Sequence, residues 1–493
     1  MSKTENRPNC IVLLADQLRY DVLGKGYTPH IDELMQDSIV FSNMYCASPL
    51  CVPARGALFT GTYPGVNGSL VNGWIPSEKP YAKVKEGMDT LYDVMEKAGM
   101  ECIHSGKQHL FVQGTPLEMR PQTRTKWLTT EQTYREFMRE QGKRMPGGPQ
   151  FRMWVPEMAD GIHTILSSYS TPHTGRYEEG YDYYFDGYFT NELLKGLEEY
   201  DGKKPLFLSM MYLAPHPPFD IPEPWYSMVK DEDVTLPENV DQWYPHQSPL
   251  QKYNVTGYIG NSYHLPDWKE AWRTYLGLVS LLDTCVGNVL EKLKEKNLYD
   301  NSLILFGSDH GELLGSHRLF QKMCMYEESV KTPFSIHLPG GKGKGDMHRE
   351  TVSQIDIFPT ICDLYGITTS HQMNGSSLKG LMLGTKSWQE SPVYIQYDGN
   401  GSRGNFQRCV IWKDYKYIAD IFKDEYYYEL YDLKHDSQET TNLLFERADD
   451  GSFCYQELSE QMNQILRRHL QEINDFIELP PWNLAEFVEN YSF

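Results

Sequence analysis

The sequence contains no apolar stretch long enough to cross a lipid bilayer. A membrane-spanning helix needs about 20 consecutive apolar residues, and no run in the 493 residues approaches that length. The apolar run near the start stops at Asp16 and lacks a small-residue cleavage site. We therefore interpret it as a first strand rather than a secretory leader, and no association with a membrane is expected.

A cysteine pairing pattern and an excess of positive charge are also missing. The nine cysteines are odd in number and have no regular spacing, which predicts reduced thiols and a cytoplasmic location. The formal net charge is −21 at pH 7. Because such a surface repels nucleic acid and anionic membranes, neither is expected as a partner. An anionic substrate would need a local cluster of positive charge.

One such cluster lies between residues 118 and 154, where eight Lys or Arg residues stand against four Glu residues. The alternative interpretation is an ordinary solvated helix. Tyr134, Phe137 and Met138 have helical spacing behind a Thr130 cap, as such a helix requires.

Short apolar runs alternate with amphipathic segments along most of the chain. The runs are typical of strands buried on both faces of a parallel sheet. They are Ile11–Ala15, Glu101–Ser105, Leu206–Tyr212 and Ser302–Phe306. The alternation predicts an α/β fold with a large doubly wound, mostly parallel sheet flanked by helices, over residues 1–385. Residues 386–493 are predicted to form a smaller α+β domain with an antiparallel sheet and a helix. The predicted strands are Val393–Tyr397, Arg408–Ile418 and Tyr427–Leu433, and the predicted helix is Phe453–Ile473.

Two long segments have no clear framework pattern. Residues 110–200 are predicted to be irregular insertions, and residues 222–266 form a loop rich in Pro, Trp and Tyr. Long loops of this kind often carry binding residues. Both are expected to line the binding pocket with aromatic rings that suit stacking on a sugar or aryl ring. Ordinary surface aromatic residues are the alternative.

Polar side chains follow all four predicted strands. In open α/β sheets, ligands bind beyond the carboxyl ends of the strands, so these residues are expected to form one shared site. Isolated turn residues are the alternative. The residues are Asp16, Gln17, Lys107, His109, His216, Asp309 and His310.

The chemistry of this set favours a cation and an oxyanion. Asp16, Gln17, Asp309 and His310 are mostly hard donors, which suit Ca²⁺, Mg²⁺ or Mn²⁺ better than Zn²⁺. Positive or proton-donating groups would stabilise a tetrahedral oxyanion during displacement. These groups are Arg55, Lys107, His109, His216 and Lys322.

The stretch Cys51–Gly56, with the sequence CVPARG, is the candidate for a reacting group. We expect Cys51 at the N-terminus of a helix that runs from about Ala54 to Thr60, where oriented N–H groups stabilise an anion. A buried structural cysteine is the alternative. A tyrosine-phosphatase type of thiolate is disfavoured, because only three residues separate Cys51 from Arg55 instead of five.

The motif CVPARGALFTGTYP resembles the signature of the type I, formylglycine-dependent sulfatases of the alkaline-phosphatase-like superfamily. The core of that signature is Cys-x-Pro-Ser/Ala-Arg, followed by Thr-Gly. Further segments are similar to the same family from about residue 9 to about residue 445. They are IVLLADQLRYDVLG, SGKQHL, LAPHPPF, GSDHGELLGSHRLFQKMCMYEESVKTPF, IDIFPTICDLYGI and ELYDLKHDSQETTNLL.

The resemblance implies a role for each site residue. Cys51 would be converted by a formylglycine-generating maturation enzyme into formylglycine, whose hydrated aldehyde is the nucleophile. One divalent cation, Ca²⁺ as first choice with Mn²⁺ or Mg²⁺ as alternatives, would be bound by Asp16, Gln17, the modified Cys51, Asp309 and His310. Arg55 and Lys107 would hold the modified side chain with support from His109, while His216 and Lys322 would contact the sulfate ester.

Two departures from the family pattern leave the ester class open. Many sulfatases carry Asp-Asp where this chain has Asp16-Gln17, and Asp-Asn where it has Asp309-His310. The Gln and His versions look similar to members acting on phosphonate monoesters and phosphodiesters, and to some bacterial sulfatases. The leading hypothesis is hydrolysis of aryl or carbohydrate sulfate esters. A phosphonate monoester or phosphodiester hydrolase and a non-catalytic anion-binding relative are the alternatives.

Overall fold

The computed structural model describes residues 7–159 and 162–491. Its β-strands, numbered in chain order, are β1 Asn9–Asp16, β2 Ile39–Phe41, β3 Met44–Tyr45, β4 Glu101–Gly106, β5 Phe111–Val112, β6 Thr115–Pro116, β7 Lys126–Trp127, β8 Arg152–Ala159, β9 His163–Ser170, β10 Thr174–Tyr177, β11 Leu206–Pro215, β12 Phe219–Pro222, β13 Ser302–Ser308, β14 Lys331–Thr332, β15 Phe334–His337, β16 Met347–His348, β17 Val352–Ser353, β18 Val393–Tyr397, β19 Asn405–Trp412, β20 Tyr415–Phe422 and β21 Glu425–Asp432.

The α-helices are numbered in the same way. They are α1 Pro29–Gln36, α2 Cys51–Thr60, α3 Pro64–Asn67, α4 Leu91–Lys97, α5 Glu131–Glu140, α6 Phe185–Glu199, α7 Trp225–Met228, α8 Val255–Gly260, α9 Leu265–Glu295, α10 Glu327–Val330, α11 Ile357–Tyr365, α12 Lys379–Met382, α13 Gln456–Glu472 and α14 Leu484–Tyr491. No helix in the described ranges combines the length and apolar character that a bilayer crossing requires.

An eight-stranded sheet organises the large part of the chain, in the order β16-β2-β15-β13-β1-β11-β4-β7. Strands β13, β1, β11, β4 and β7 run parallel to one another. Strand β15 is antiparallel to β13 and to β2. The predicted mostly parallel α/β sheet is therefore confirmed, and the carboxyl ends of its four central strands share one edge.

Helices cover both faces of this sheet. Strand β1 is therefore buried on both sides along its whole length. Ile11 and Leu13 pack into one core with α1, α6 and α9. Val12 and Leu14 face the opposite way, into a second core with α2, α4 and α11. Burial on both faces explains why these strands are continuous apolar runs rather than alternating ones.

A second sheet lies near the end of the chain, as expected. Strands β18, β19, β20 and β21 are antiparallel and consecutive, and they share a core with α13 and α14. The division of the chain at residue 385 and the cytoplasmic location stay predictions. None of the nine cysteines, all of which lie in the described ranges, is in a disulfide.

One predicted strand, Arg408 to Ile418, is wrong, because it is in fact two strands. Lys413 and Asp414 adopt positive φ angles of 51° and 63° and form the tight turn between β19 and β20. Such a two-residue hairpin turn is normally marked by Asn-Gly or Asp-Gly. The sequence here carries neither, so the turn was not recognisable.

The prediction of an irregular segment over residues 110–200 is also wrong in large part. It contains α5, the hairpin of β8 and β9, and α6, which packs against β4 and β11 as part of the framework. Gly187 and Gly196 lower the helix propensity of α6. In the fold they allow close packing, because a Cβ at Gly187 would lie 2.0 Å from the Tyr181 carbonyl oxygen.

Candidate active site

The four central strands deliver polar residues to one edge of the sheet. Asp16 is the last residue of β1, and Asp309 follows β13 directly. Lys107 follows β4, and His216 follows β11. Because these strands are parallel and adjacent, residues that are far apart in sequence meet in space. The structure brings together all the residues that the sequence placed at strand ends.

Cys51 begins α2 and lies within this cluster. Its Sγ is 3.2 Å from Nε2 of His310 and 3.7 Å from Oδ1 of Asp16. The helix starts three residues earlier than Ala54, the predicted first residue, since Pro53 fits the first turn, where its missing N–H costs nothing. The cysteine therefore stands at the helix N-terminus, as expected.

Four side chains form a set of donors that could hold one metal ion. One ligand atom each from Asp16, Cys51, Asp309 and His310 lies within 4.8 Å of the other three, and all four side chains are buried. Two carboxylates and an imidazole suit a divalent cation such as Ca²⁺, Mn²⁺ or Mg²⁺. Buried carboxylates at this separation repel each other unless positive charge balances them, so the donor set fits a cation.

Gln17 lies beside this set and links it to two further residues. Its amide oxygen accepts a hydrogen bond from Nζ of Lys322 at 2.5 Å, and its amide nitrogen donates to Glu312. The backbone of Gln17 has a φ of 70°, in the left-handed region that a non-glycine residue adopts at a cost. The amide oxygen is thus held at the cluster by Lys322.

Arg55 lies one turn after Cys51 and is completely buried. Its guanidinium contacts Asp16 at 3.0 Å and Asp309 at 2.9 Å. It also donates to the backbone carbonyl of Lys107. One side chain thereby neutralises both carboxylates and connects the helix to the strand ends.

Positive groups surround the thiol of Cys51. Burial alone would raise the pKa of the thiol, but the cations of Lys322 and Lys107 and the imidazole of His310 outweigh burial, so the pKa lies well below its ordinary value. Lys107 also contacts Asp16 at 2.6 Å. The site therefore favours an anion at position 51.

The two remaining histidines, His109 and His216, both lie near Cys51. Nε2 of His109 is 2.6 Å from Oε2 of Glu131, and the ring lies near Cys51. Nδ1 of His216 donates to the Pro217 carbonyl at 2.5 Å. Burial and the nearby Lys322 and Lys107 lower the pKa of His216 to about 4.

Five of these groups lie at the floor of a cavity of about 590 Å³, namely Cys51, Lys107, His109, His216 and Lys322. Segments from several parts of the chain build its walls, including the loop before α4, helix α5 and the β8–β9 hairpin. The wall residues that carry polar or aromatic groups include Asn72, Trp74, Glu118, Glu131, Gln132, Arg135, Arg152, Tyr169, Gln321 and Asn400.

Only one of the two segments predicted to line the pocket does so. Residues 110–200 supply much of the wall, whereas no residue of 222–266 lines the cavity. The second segment instead packs against the C-terminal sheet, where Ser248 binds Asp420 at 2.6 Å and Glu429 at 3.0 Å. Its polar groups are thus used inside the fold.

Only part of the basic segment 118–154 contributes positive charge to the cavity. Its helix is present as α5, capped by Thr130, so the helical interpretation is confirmed. Arg135 and Arg152 line the cavity. Arg144 pairs with Asp220 and Lys126 with Glu199, and these two cations are therefore neutralised away from the cavity.

The family follows from comparison with known sequences. The model of the family described as "Sulfatase" matches residues 8–367, and that described as "N-sulphoglucosamine sulphohydrolase, C-terminal" matches residues 315–471. The chain belongs to the sulfatase family. It is therefore an enzyme of the sulfuric ester hydrolase class, as the resemblance of the CVPARG stretch implies.

Relatives and solved structures match this sulfatase over nearly its whole length. It is 28% identical to the arylsulfatase of Clostridium perfringens (strain 13 / Type A), over 94% of this chain and 95% of that protein. It is 26% identical to the choline-sulfatase of Rhizobium meliloti (strain 1021), over 89% and 83%. The structure of the phosphonate monoester hydrolase of Agrobacterium radiobacter has a similar fold, with a TM-score of 0.73, 22% identity and 95% coverage of both chains.

Two residues of this sulfatase site were not recognisable as site residues from the sequence. Glu312 accepts hydrogen bonds from the Gln17 side chain and, at 2.9 Å, from the backbone of Leu314. Glu131 contacts His109. Glu312 lies two residues beyond His310, a spacing that could have suggested it, whereas nothing in the sequence connects residue 131 with residue 109.

Proposed function

We propose that this protein hydrolyses sulfate esters, either aryl or carbohydrate sulfates, with residue 51 as the nucleophile after its maturation to formylglycine. The observation that supports this most strongly is the position of Cys51. It lies at a helix N-terminus, within a buried set of metal-ligand side chains, at the floor of a cavity. A structural cysteine would not need this concentration of cations around its sulfur.

The proposal includes two groups that the chain would acquire. Asp16, Gln17, Asp309, His310 and the modified residue 51 would hold one divalent cation, with Ca²⁺ as first choice and Mn²⁺ or Mg²⁺ as alternatives. A formylglycine-generating maturation enzyme would modify Cys51. Together these groups would supply a nucleophilic hydroxyl of lowered pKa and a positive charge against the sulfate oxygens.

The chain's own residues would bind and orient these groups. Arg55 holds Asp16 and Asp309 in place through contacts at 3.0 Å and 2.9 Å. Lys107 holds Asp16 from the other side at 2.6 Å. These contacts fix the carboxylates so that they need not reorganise during the reaction, which is how preorganised charge accelerates displacement.

His216 and Lys322 are proposed to bind the ester itself. Both line the cavity, and the Nδ1 of His216 is occupied by the Pro217 carbonyl, so only Nε2 is available to the substrate. A sulfate group between His216 and Lys322 would meet the Lys322 ammonium as a donor. Because the proton of the neutral His216 ring is on Nδ1 and the pKa of the ring is about 4, Nε2 could donate only after the bound anion had favoured uptake of a second proton. One of the two residues would then protonate or stabilise the leaving oxygen.

The substrate is proposed to be a sulfated small molecule or saccharide. The exposed ring of Trp74 at the cavity wall, 5.5 Å from the ring of Tyr169, suits contact with a sugar or aryl ring. A cytoplasmic location is part of the proposal. The lack of disulfides among the nine cysteines supports it.

The decisive experiment examines residue 51 and turnover in one preparation. The protein should be produced together with a formylglycine-generating enzyme, and the peptide containing residue 51 analysed by mass spectrometry. An aldehyde at position 51 with release of inorganic sulfate from an aryl sulfate is the expected result. An unmodified thiol in a preparation that hydrolyses the ester would contradict the proposed nucleophile.

A second test separates catalysis from folding. The Cys51→Ala variant should lose turnover but keep a bound divalent cation, because four other ligands remain. Metal content measured by mass spectrometry and the melting temperature report the two properties separately. Loss of both the metal and the fold would mean that Cys51 has a structural role.

The second candidate function is hydrolysis of phosphonate monoesters or phosphodiesters at the same site. Gln17 and His310 favour it, because they replace acidic or amide ligands and make the site less negative than the common sulfatase pattern. Comparing the kcat/KM for an aryl sulfate with that for an aryl phosphonate monoester distinguishes the two candidates. A non-catalytic anion-binding relative would hydrolyse neither.

A further inference from the structure

The pair formed by His109 and Glu131 is not explained by the sequence motifs. Nε2 of His109 is 2.6 Å from Oε2 of Glu131, and both residues line the cavity. Their side chains are only 24% and 32% exposed. This ion pair therefore forms part of the cavity wall rather than of the outer surface.

The other nitrogen of the His109 ring, Nδ1, is not occupied by Glu131. Nδ1 is buried and has no hydrogen-bond partner of ordinary geometry in the described ranges. The ring lies close enough to hydrogen bond with Cys51. Because Glu131 occupies Nε2, Nδ1 is the nitrogen available to residue 51. The side chains of Glu131, His109 and residue 51 therefore form a row, with the imidazole in the middle.

The backbone conformation of His109 is one that surrounding contacts must hold in place. Its φ is 43°, in the left-handed region that a non-glycine residue adopts only with strain. Such a residue keeps its conformation only where surrounding contacts hold it. The ion pair to Glu131 is the side-chain contact that fixes the outer nitrogen of the ring.

Glu131 is itself held firmly in place. It is the first residue of α5, directly after the Thr130 cap, and a carboxylate at a helix N-terminus is stabilised by the N–H groups there. His109 and Lys107 stabilise its charged form against burial and lower its pKa to about 2. Glu131 is therefore a fixed anion rather than a mobile surface group.

We propose that Glu131 is a positioning residue, which holds the His109 ring with Nε2 as the protonated nitrogen and Nδ1 as a hydrogen-bond acceptor toward residue 51. A carboxylate behind an imidazole selects one tautomer and one ring orientation. The catalytic consequence rests on the proposed function of residue 51. The tautomer itself can be measured without it.

The first experiment measures the tautomer in the Cys51→Ser variant, at a pH at which the His109 ring is neutral. The serine is chosen because its hydroxyl stays protonated and can donate to Nδ1, unlike the thiolate that the site favours. Histidine labelled with ¹⁵N and two-bond ¹H–¹⁵N correlation spectra report which ring nitrogen carries the proton, and His109→Gln assigns the signals. Glu131→Gln should change the His109 signals, because an amide no longer enforces one tautomer. The matched control is Glu140→Gln, an exposed residue of the same helix, and it should leave them unchanged.

The second experiment measures kinetics in the matured enzyme. Glu131→Gln should lower kcat about 10- to 100-fold with KM within about 2-fold, as expected for loss of an orienting partner. Glu131→Asp, which keeps the charge on a shorter side chain, should recover part of kcat. Melting temperatures close to that of the parent protein would show that the variants fold.

The outcomes separate this inference from the proposed function. Unchanged His109 signals in Glu131→Gln would overturn the positioning role. So would a kcat equal to that of the parent, or a loss confined to KM. If the parent protein hydrolyses no sulfate or phosphonate ester, the proposed function fails. The tautomer measurement still decides whether Glu131 orients His109.

Discussion

Replacing Arg55 with Met should destabilise the protein strongly, because Arg55 is the buried counter-charge of two carboxylates. Its guanidinium contacts Asp16 at 3.0 Å and Asp309 at 2.9 Å, and none of the three side chains is exposed. A Met side chain has a similar length but no charge. The variant leaves Asp309 buried without its cation, whereas Asp16 keeps Lys107 at 2.6 Å.

The magnitude follows from what remains around Asp309. Breaking a buried ion pair by removing one partner costs about 3–5 kcal/mol, since the remaining charge is uncompensated. Asp309 keeps backbone donors from Gln17 at 3.2 Å and His310 at 3.0 Å, and the His310 ring, whose Nε2 is 3.6 Å from its Oδ1. We therefore expect a loss of about 3–5 kcal/mol in the free energy of unfolding in the absence of divalent cations.

A double-mutant cycle tests this reasoning by urea denaturation in EDTA, followed by tryptophan fluorescence. Arg55→Met combined with Asp309→Asn should lose less than the sum of the single variants, with a coupling of about 2 kcal/mol or more. The matched control is Arg176→Met, which breaks an exposed pair with Glu178 and should leave the urea midpoint unchanged. A loss below about 1 kcal/mol in Arg55→Met, or full additivity, would refute the account.

Three further predictions concern other parts of the molecule. Burial raises the pKa of Glu429 from 4.5 to about 7, so the native state holds a proton that the unfolded chain has released. The contribution of Glu429 to stability should therefore fall by about 3 kcal/mol between pH 4.5 and pH 7. Glu429→Gln should make the slope of stability against pH shallower by that amount in denaturation curves, whereas Asp186, Asp420 and Glu439, whose pKa values are also raised, maintain the rest of the slope. Gly106→Ala should abolish soluble expression or lower the melting temperature sharply, because its Cβ would lie 1.9 Å from the Met211 carbonyl oxygen. Trp74→Ala should raise KM for a sulfated disaccharide more than for a small alkyl sulfate, since the exposed ring stacks near Tyr169; equal changes in both KM values would contradict contact with a sugar ring.

The central sheet and its active edge could be predicted from the sequence because burial leaves a local pattern. Strand β1 is apolar from Cys10 to Ala15, and β11 and β13 contain similar apolar runs before His216 and Asp309. Strand β4, before Lys107, has only the short run Cys102-Ile103. Parallel strands then force these residues to one edge. Local patterns and one topological rule were sufficient.

The parts that were missed depend on tertiary contacts. Helix α6 was not recognised because Gly187 and Gly196 weaken the helical signal, and only the packing against Tyr181 and Leu128 explains them. In the sequence, Glu131 is recognisable only as one of the charged residues of a predicted solvated helix. Its contact with His109 joins two segments 22 positions apart, and no local pattern reports such a contact.

The most direct test of the central claim is the rate of ester hydrolysis by the matured protein. An aryl sulfate and an aryl phosphonate monoester should be compared in the same preparation, with Cys51→Ala alongside. We predict a higher kcat/KM for the sulfate ester and no turnover of either ester by Cys51→Ala. A higher kcat/KM for the phosphonate ester would contradict the proposed function, as would sulfate release that persists in Cys51→Ala.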